Sequence, residues 1–272
     1  MEKTLVYHLY VMDNCRENFI YEIHKSCLRR FIHNFDKVKF YISVNDLTNV
    51  DHTMFGYEFI NSLGFNKPMQ INVVKNNEYG EAVTFKEEIV DENTDGMVFF
   101  AHSKGVTHLY DKRFPQSIFY WILTLYYYNF TYINDVEKNF INLPFVQSLF
   151  MGALMCASEK FDKAMPPCFM GTFFWVNMPK YKNCKKMNLI PEIKMDGRWY
   201  AESYCGYLAN AVNDVTVMES YNNHILCFEG DFNAYYASIK EWEEVFNNIG
   251  DVEGIKAFIN EISTEIGWVC ND

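Results

Sequence analysis

The stretch MVFFAHSKGVTH, Met97 to His108, decides the fold. Its first five residues, Met97-Val98-Phe99-Phe100-Ala101, are a short unbroken apolar run, the pattern of a strand buried on both faces of a parallel sheet. The run then turns polar and cationic at His102, Ser103 and Lys104, and Gly105 allows the backbone to bend closely.

Working outward, similar apolar runs predict strands at Leu5–Val11, Val38–Val44 and Met69–Val74. Helical spacing predicts helices from about Arg16 to Ile32 and from about Glu81 to Val90. Strands alternating with helices imply an α/β fold with an open, mostly parallel central sheet flanked by helices. Further on, Phe114–Phe130 predicts a long aromatic helix or two shorter pieces, Leu149–Cys156 a buried element, and Phe169–Asn177 a strand with a glycine bend. Trp199–Val212 is expected to be a helix with Glu202 near its start, followed by tail helices at Ala234–Asn248 and Ile255–Ile262. The basic, poorly periodic Pro179–Asp196 is expected to be a mobile loop.

The 272 residues carry a formal net charge of -11, which excludes broad affinity for nucleic-acid backbones, since that rests on many lysines and arginines. Eight cysteines without a C-x-x-C pair predict reduced thiols in a cytoplasmic protein. No stretch reaches the roughly 20 apolar residues of a membrane span. The 18% aromatic content can fill a core, stack on flat ligands, or form a surface for peripheral association with the inner face of a membrane.

In open α/β sheets, ligands sit beyond the carboxyl ends of the strands. There Lys104 and His102, with Gly105, form a compact cationic pocket for a phosphate or pyrophosphate. The alternative is that His102 caps the strand and Lys104 is a solvated surface charge. Tyr10 could stack on a nucleobase, and Asn45 with Asp46 could hold base or ribose, although turn chemistry explains that pair equally. Glu81 could contact ribose or orient Lys104, or simply begin a helix. Arg113 could supply a second phosphate contact or lie on the surface. Trp175 and Phe174 offer apolar faces for a sugar ring, or core packing, and Gly171 a close backbone approach or a strand bulge.

Three blocks, FFAHSKGVTH, MGTFFWVN and RWYAESYCGYL, resemble in series the signatures of bacterial glycosyltransferases of capsule and cell-surface polysaccharide assembly, relatives of the rhamnan-synthesis enzymes. His102, Lys104 and Gly105 match the first block, with Ser103 where threonine is commoner. Gly171, Phe173 and Trp175 match the second, with Met170, Thr172 and Phe174 departing from the usual serine, asparagine and tryptophan. Glu202 matches the acidic residue of the third, and Tyr204 replaces a tryptophan. The similarity spans about residues 4–212.

The resemblance implies a GT-A-like domain over 1–215, with a donor half to about residue 110 and an acceptor half over 111–215; it does not reach the tail, where the helical pattern predicts an extension at 216–272 packed on the same domain. It implies transfer of a hexose from a nucleotide sugar to a glycan or lipid-linked glycan, with Glu202 as the base that deprotonates the acceptor and Lys104, aided by His102, stabilising the leaving diphosphate. On the residues alone, Glu202 is equally a carboxylate meeting the positive end of its own helix. Ser103 would join the donor site and Thr172 the acceptor site. Many such enzymes use an Asp-x-Asp motif with a metal after the fourth strand. This chain has His-Ser-Lys there, so no metal or other cofactor is expected, with Asp111 and Asp135 the residues left to hold Mg or Mn. Two rivals stay open: a nucleotidyl- or phosphotransferase, although neither G-x-x-x-x-G-K-[ST] nor G-x-G-x-x-G occurs, and a non-catalytic carbohydrate-binding protein.

Overall fold

The computed structural model describes residues 1–108, 115–142, 149–152, 155–156, 168–169, 171–195, 197, 200–211, 218–220 and 237–268. Strands β1 (Lys3–Val11), β2 (Lys37–Val44), β3 (Met69–Lys75) and β4 (Met97–His102) alternate with helices α1 (Ile20–Phe31), α2 (Val50–Asn61) and α3 (Glu81–Phe85), the last prolonged by a π-helical turn at Lys86–Val90. There follow α4 (Pro115–Thr131), α5 (Ile133–Asn142), β5 (Phe150–Gly152), β6 (Met155–Cys156), β7 (Cys168–Phe169), β8 (Phe174–Asn177), α6 (Met178–Lys186), α7 (Tyr200–Ala211), β9 (Met218–Ser220), α8 (Ile239–Ile249) and α9 (Val252–Ile266).

The main sheet runs β3-β2-β1-β4-β8-β5-β9, and β6 pairs with β7 separately. All strands of the main sheet point one way except β8, which is antiparallel to both β4 and β5. The fold is therefore α/β with a mostly parallel sheet covered by helices, and the C-terminal α8 and α9 pack on α1 and α4.

Side chains alternate across the sheet and build two cores. On one side Phe99 and Trp175 meet Phe35 and Phe130. On the other, Phe100 and Phe174 meet Phe85 and Phe169. Much of the aromatic content is consumed here. Trp175 and Phe174 are both fully buried, and packing on both sides of the sheet leaves neither a face for a sugar ring, so the stacking expected of them is corrected to core packing.

Three other expectations change. The first helix is split: residues Cys15–Glu17 form a 3-10 turn, and Asn18 then accepts the N–H of Ile20 at 3.0 Å through Oδ1, restarting the chain as α1. The expected loop after Pro179 begins as α6, capped where Asn177 Oδ1 accepts the Lys180 N–H, with Tyr181 and Cys184 buried beneath a basic outer face. Helices α2 and α5 were not anticipated. No described helix is long and apolar enough to cross a membrane.

Candidate active site

Beyond the carboxyl ends of β1, β3 and β4 lies a cavity of about 300 Å³, lined by His8, Tyr10, Asn76, Glu81, His102 and Lys104 among others. Parallel pairing places His8 directly opposite His102, on the sheet face covered by α3. Antiparallel β8 then brings its own approach to the same place. Phe174 pairs with Phe100, so the residues just before Phe174 lie beside those just after Phe100. There Gly171 and Thr172 form a turn with φ of +86° and +58°.

Lys104 is only 7% exposed, which removes the reading of a solvated surface charge. Its ammonium lies 4.3 Å from the centre of the Trp121 ring on α4, a cation–π seat whose attraction grows when water is excluded. Its backbone is clamped as well. The carbonyl oxygen accepts from His24 Nε2 at 2.8 Å, and His24 Nδ1 lies 3.0 Å from the Tyr126 hydroxyl. Burial pushes the pKa of His24 down to about 3. The ring is therefore neutral near pH 7, with its single proton on Nε2, because a carbonyl can only accept. Gly105, at φ +88°, continues the turn, and a Cβ there would lie 2.6 Å from Ile118 Cγ2.

His102 Nε2 donates to the Gly171 carbonyl at 3.0 Å, leaving Nδ1 3.9 Å from Glu81 Oε1. Behind the turn, the Gly171 N–H donates to Glu202 Oε1 at 2.7 Å. His8 Nδ1 lies 2.8 Å from Thr84 Oγ1; burial drives its pKa down to about 4, against the opposing pull of Glu81. Ser103 joins the strands by accepting the Tyr10 N–H through Oγ at 2.9 Å.

The structure thus brings Tyr10, Glu81, His102, Ser103, Lys104 and Gly105 to one cavity. Asn45 adjoins it, its Oδ1 accepting from the Tyr10 hydroxyl and Asn76 Nδ2 at 3.2 and 3.1 Å. Asp46 is turned to its own loop: it accepts from the Thr48 N–H and hydroxyl, bonds that hold its carboxyl below the usual range. Gly171 and Thr172 stand next to His102, and Glu202 stands behind them, bound to the turn and not among the cavity-lining residues. Asp135 is exposed at the start of α5. Arg113 and Asp111 lie outside the described residues. Among the described residues no three His, Cys, Asp or Glu side chains are grouped to hold a metal ion.

Sequence reasoning missed His8, Val106 and Thr107 as lining residues, and read Asn76, Asn77 and Glu78 only as part of a polar strand end where a ligand sits. His8 sits inside an apolar strand, where only its register against His102 gives it meaning. The polar run Asn76-Asn77-Glu78 carried the available signal, as a strand end.

No known protein family matches the chain. No curated protein matches it significantly either. Among solved structures, 4-diphosphocytidyl-2C-methyl-D-erythritol synthase from Anaerococcus prevotii is similar with a TM-score of 0.38 and 10% identity, over 80% of this chain and 88% of that one.

Proposed function

We propose that the protein is a glycosyltransferase that moves a hexose from a nucleoside-diphosphate sugar to a hydroxyl of a growing, lipid-linked glycan, with inversion at the anomeric carbon. The observation that carries this reading is the seat of Lys104: a buried ammonium at the carboxyl end of a central parallel strand, beside an imidazole and lining a cavity. The three sequence blocks that resemble polysaccharide glycosyltransferases support the same class.

In the proposed step the acceptor oxygen bonds to the anomeric carbon as that carbon's bond to the diphosphate oxygen breaks. The bonding pair leaves with the diphosphate, and the Lys104 ammonium neutralises the charge that grows there. The acceptor proton passes to a carboxylate within hydrogen-bond reach. Glu81, which lines the cavity beside His102, is assigned that role. Tyr10 and Asn45 would receive the nucleoside. A lipid-linked acceptor would bring the protein to the inner face of the membrane.

Thermal-shift measurement against UDP, GDP, dTDP and CMP tests the reading. A ligand at 100 times its Kd stabilises the native state by about 2.7 kcal/mol, so at least one nucleoside diphosphate is expected to raise the Tm clearly. No shift with any nucleotide, together with stabilisation by free glycan, would contradict transfer chemistry and favour a carbohydrate-binding protein.

A further inference from the structure

The Gly171–Thr172 turn is costly to form. Two successive residues have left-handed φ values, and the second is β-branched threonine, whose Cβ substituents make that region a true outlier. Such backbone strain persists only where the surroundings over-determine it. The Thr172 hydroxyl is buried with no hydrogen-bond partner among the described residues, so its own side chain does not explain the conformation.

The surroundings do. From α7, Glu202 Oε1 accepts the Gly171 N–H at 2.7 Å, and from β4, His102 Nε2 donates to the Gly171 carbonyl at 3.0 Å. From α4, Leu125 and Trp121 press so closely that a Cβ on Gly171 would lie 2.8 Å from Leu125 Cδ1 and 3.4 Å from Trp121 Nε1. One residue, Gly171, therefore touches both functional groups of the cavity: its carbonyl sets the His102 ring, and its Cα abuts the Trp121 ring on which the Lys104 ammonium sits.

We propose that Glu202 is a positioning residue, holding the Gly171–Thr172 turn and through it the orientation and tautomer of His102, and that it is not the base. This rests on the transferase reading above. A base must carry a carboxylate to the acceptor hydroxyl. A positioning residue needs only an oxygen that accepts one N–H, and a glutamine amide supplies that oxygen as well as a carboxylate does.

The test compares Glu202→Gln with Glu202→Ala in the full chain, using the nucleotide sugar found to be turned over. Glu202→Gln is expected to keep kcat within about threefold of wild type with an unchanged pH profile. Glu202→Ala is expected to lose on the order of 100-fold, the scale of a small misplacement of catalytic groups. A glutamine variant as inactive as the alanine variant, with donor affinity intact, would overturn the proposal and return Glu202 to the role of base. If Glu202→Ala does not fold, the glutamine arm decides alone. Nitrogen NMR of the histidine side chains, with His102 assigned by its own substitution, supplies a readout that needs no turnover. Wild type and Glu202→Gln should show the Nε2–H form of His102, and Glu202→Ala a mixture; an unshifted His102 signal in Glu202→Ala would overturn the proposal. Absence of transfer in wild type would instead count against the transferase reading, and the NMR comparison would still decide the role of Glu202.

Discussion

The ammonium of Lys104 and the indole of Trp121 lie 4.3 Å apart, amine over ring, so the position of the cavity's cation depends on an aromatic side chain from the following helix. Trp121→Leu keeps an apolar residue there and removes the π face. Cation–π contacts shielded from water contribute about 1–2 kcal/mol, so nucleoside-diphosphate affinity measured by calorimetry should weaken roughly 5- to 30-fold. Unchanged affinity in a folded variant would contradict this seat for the cation.

Two buried histidines make the fold acid-sensitive. His8 and His24 are held neutral, with pKa values of about 4 and 3 against an ordinary 6.5. As pH falls below 6.5 the unfolded chain takes up protons that the folded chain refuses. Stability is therefore complete above that pH and is lost toward pH 4 and below, at about 1.4 kcal/mol per unit for each histidine. Between pH 7 and pH 5 the Tm should drop by roughly 10 °C. His24→Gln should make that drop shallower. A flat Tm over this range would contradict the assignment.

Gly105→Ala should be severe. The backbone is left-handed at φ +88°, and the new methyl would lie 2.6 Å from Ile118 Cγ2. Left-handed strain of about 1–2 kcal/mol adds to an overpacking cost of about 1–3 kcal/mol. Denaturant unfolding should show a loss of about 2–5 kcal/mol, and a loss below 1 kcal/mol would mean that the turn relaxes freely.

An ion pair between half-buried Lys39 and buried Glu88, away from the cavity, gives a stability control. Lys39 Nζ donates to Glu88 Oε2 at 2.6 Å and to the Asn93 carbonyl and Thr94 hydroxyl at 2.9 Å, while Tyr41 and Thr94 hydroxyls also bond the Glu88 carboxylate. Lys39→Met would leave that carboxylate buried without its counter-charge, a change that typically costs about 3–5 kcal/mol. Nucleotide affinity of the folded fraction should be unaltered, whereas a joint loss of both would tie this cluster to the cavity.

The parallel strands were legible because burial on both faces writes itself as an unbroken apolar run, as in Met97–Ala101. Helix α2 was not, because Val50, Met54 and Tyr57 are exposed on its outer face and erase the contrast on which helical periodicity depends. Helix α6 was hidden by the opposite excess, its lysines outnumbering the two residues it buries deepest after Met178. In the cavity, Lys104 and His102 were legible because polar residues follow an apolar strand at once. The contact between Glu202 and Gly171 was not. It is made by a backbone N–H in a strained turn, delivered by an antiparallel strand, and neither fact leaves a mark in residue type. His24 was equally silent, since a histidine on the buried face of α1 shows its purpose only when Lys104 and Tyr126 arrive from 80 and 102 residues away.

Calorimetric titration of wild type and Lys104→Met with a nucleoside diphosphate and the matching monophosphate addresses the central claim most directly. A hydrogen bond to a charged group contributes about 1.5–3 kcal/mol, so wild type should favour the diphosphate and the variant should lose roughly 10- to 150-fold in diphosphate affinity while keeping its monophosphate affinity. Equal diphosphate affinity in the two proteins would contradict the assignment of Lys104 as the group that meets the leaving diphosphate.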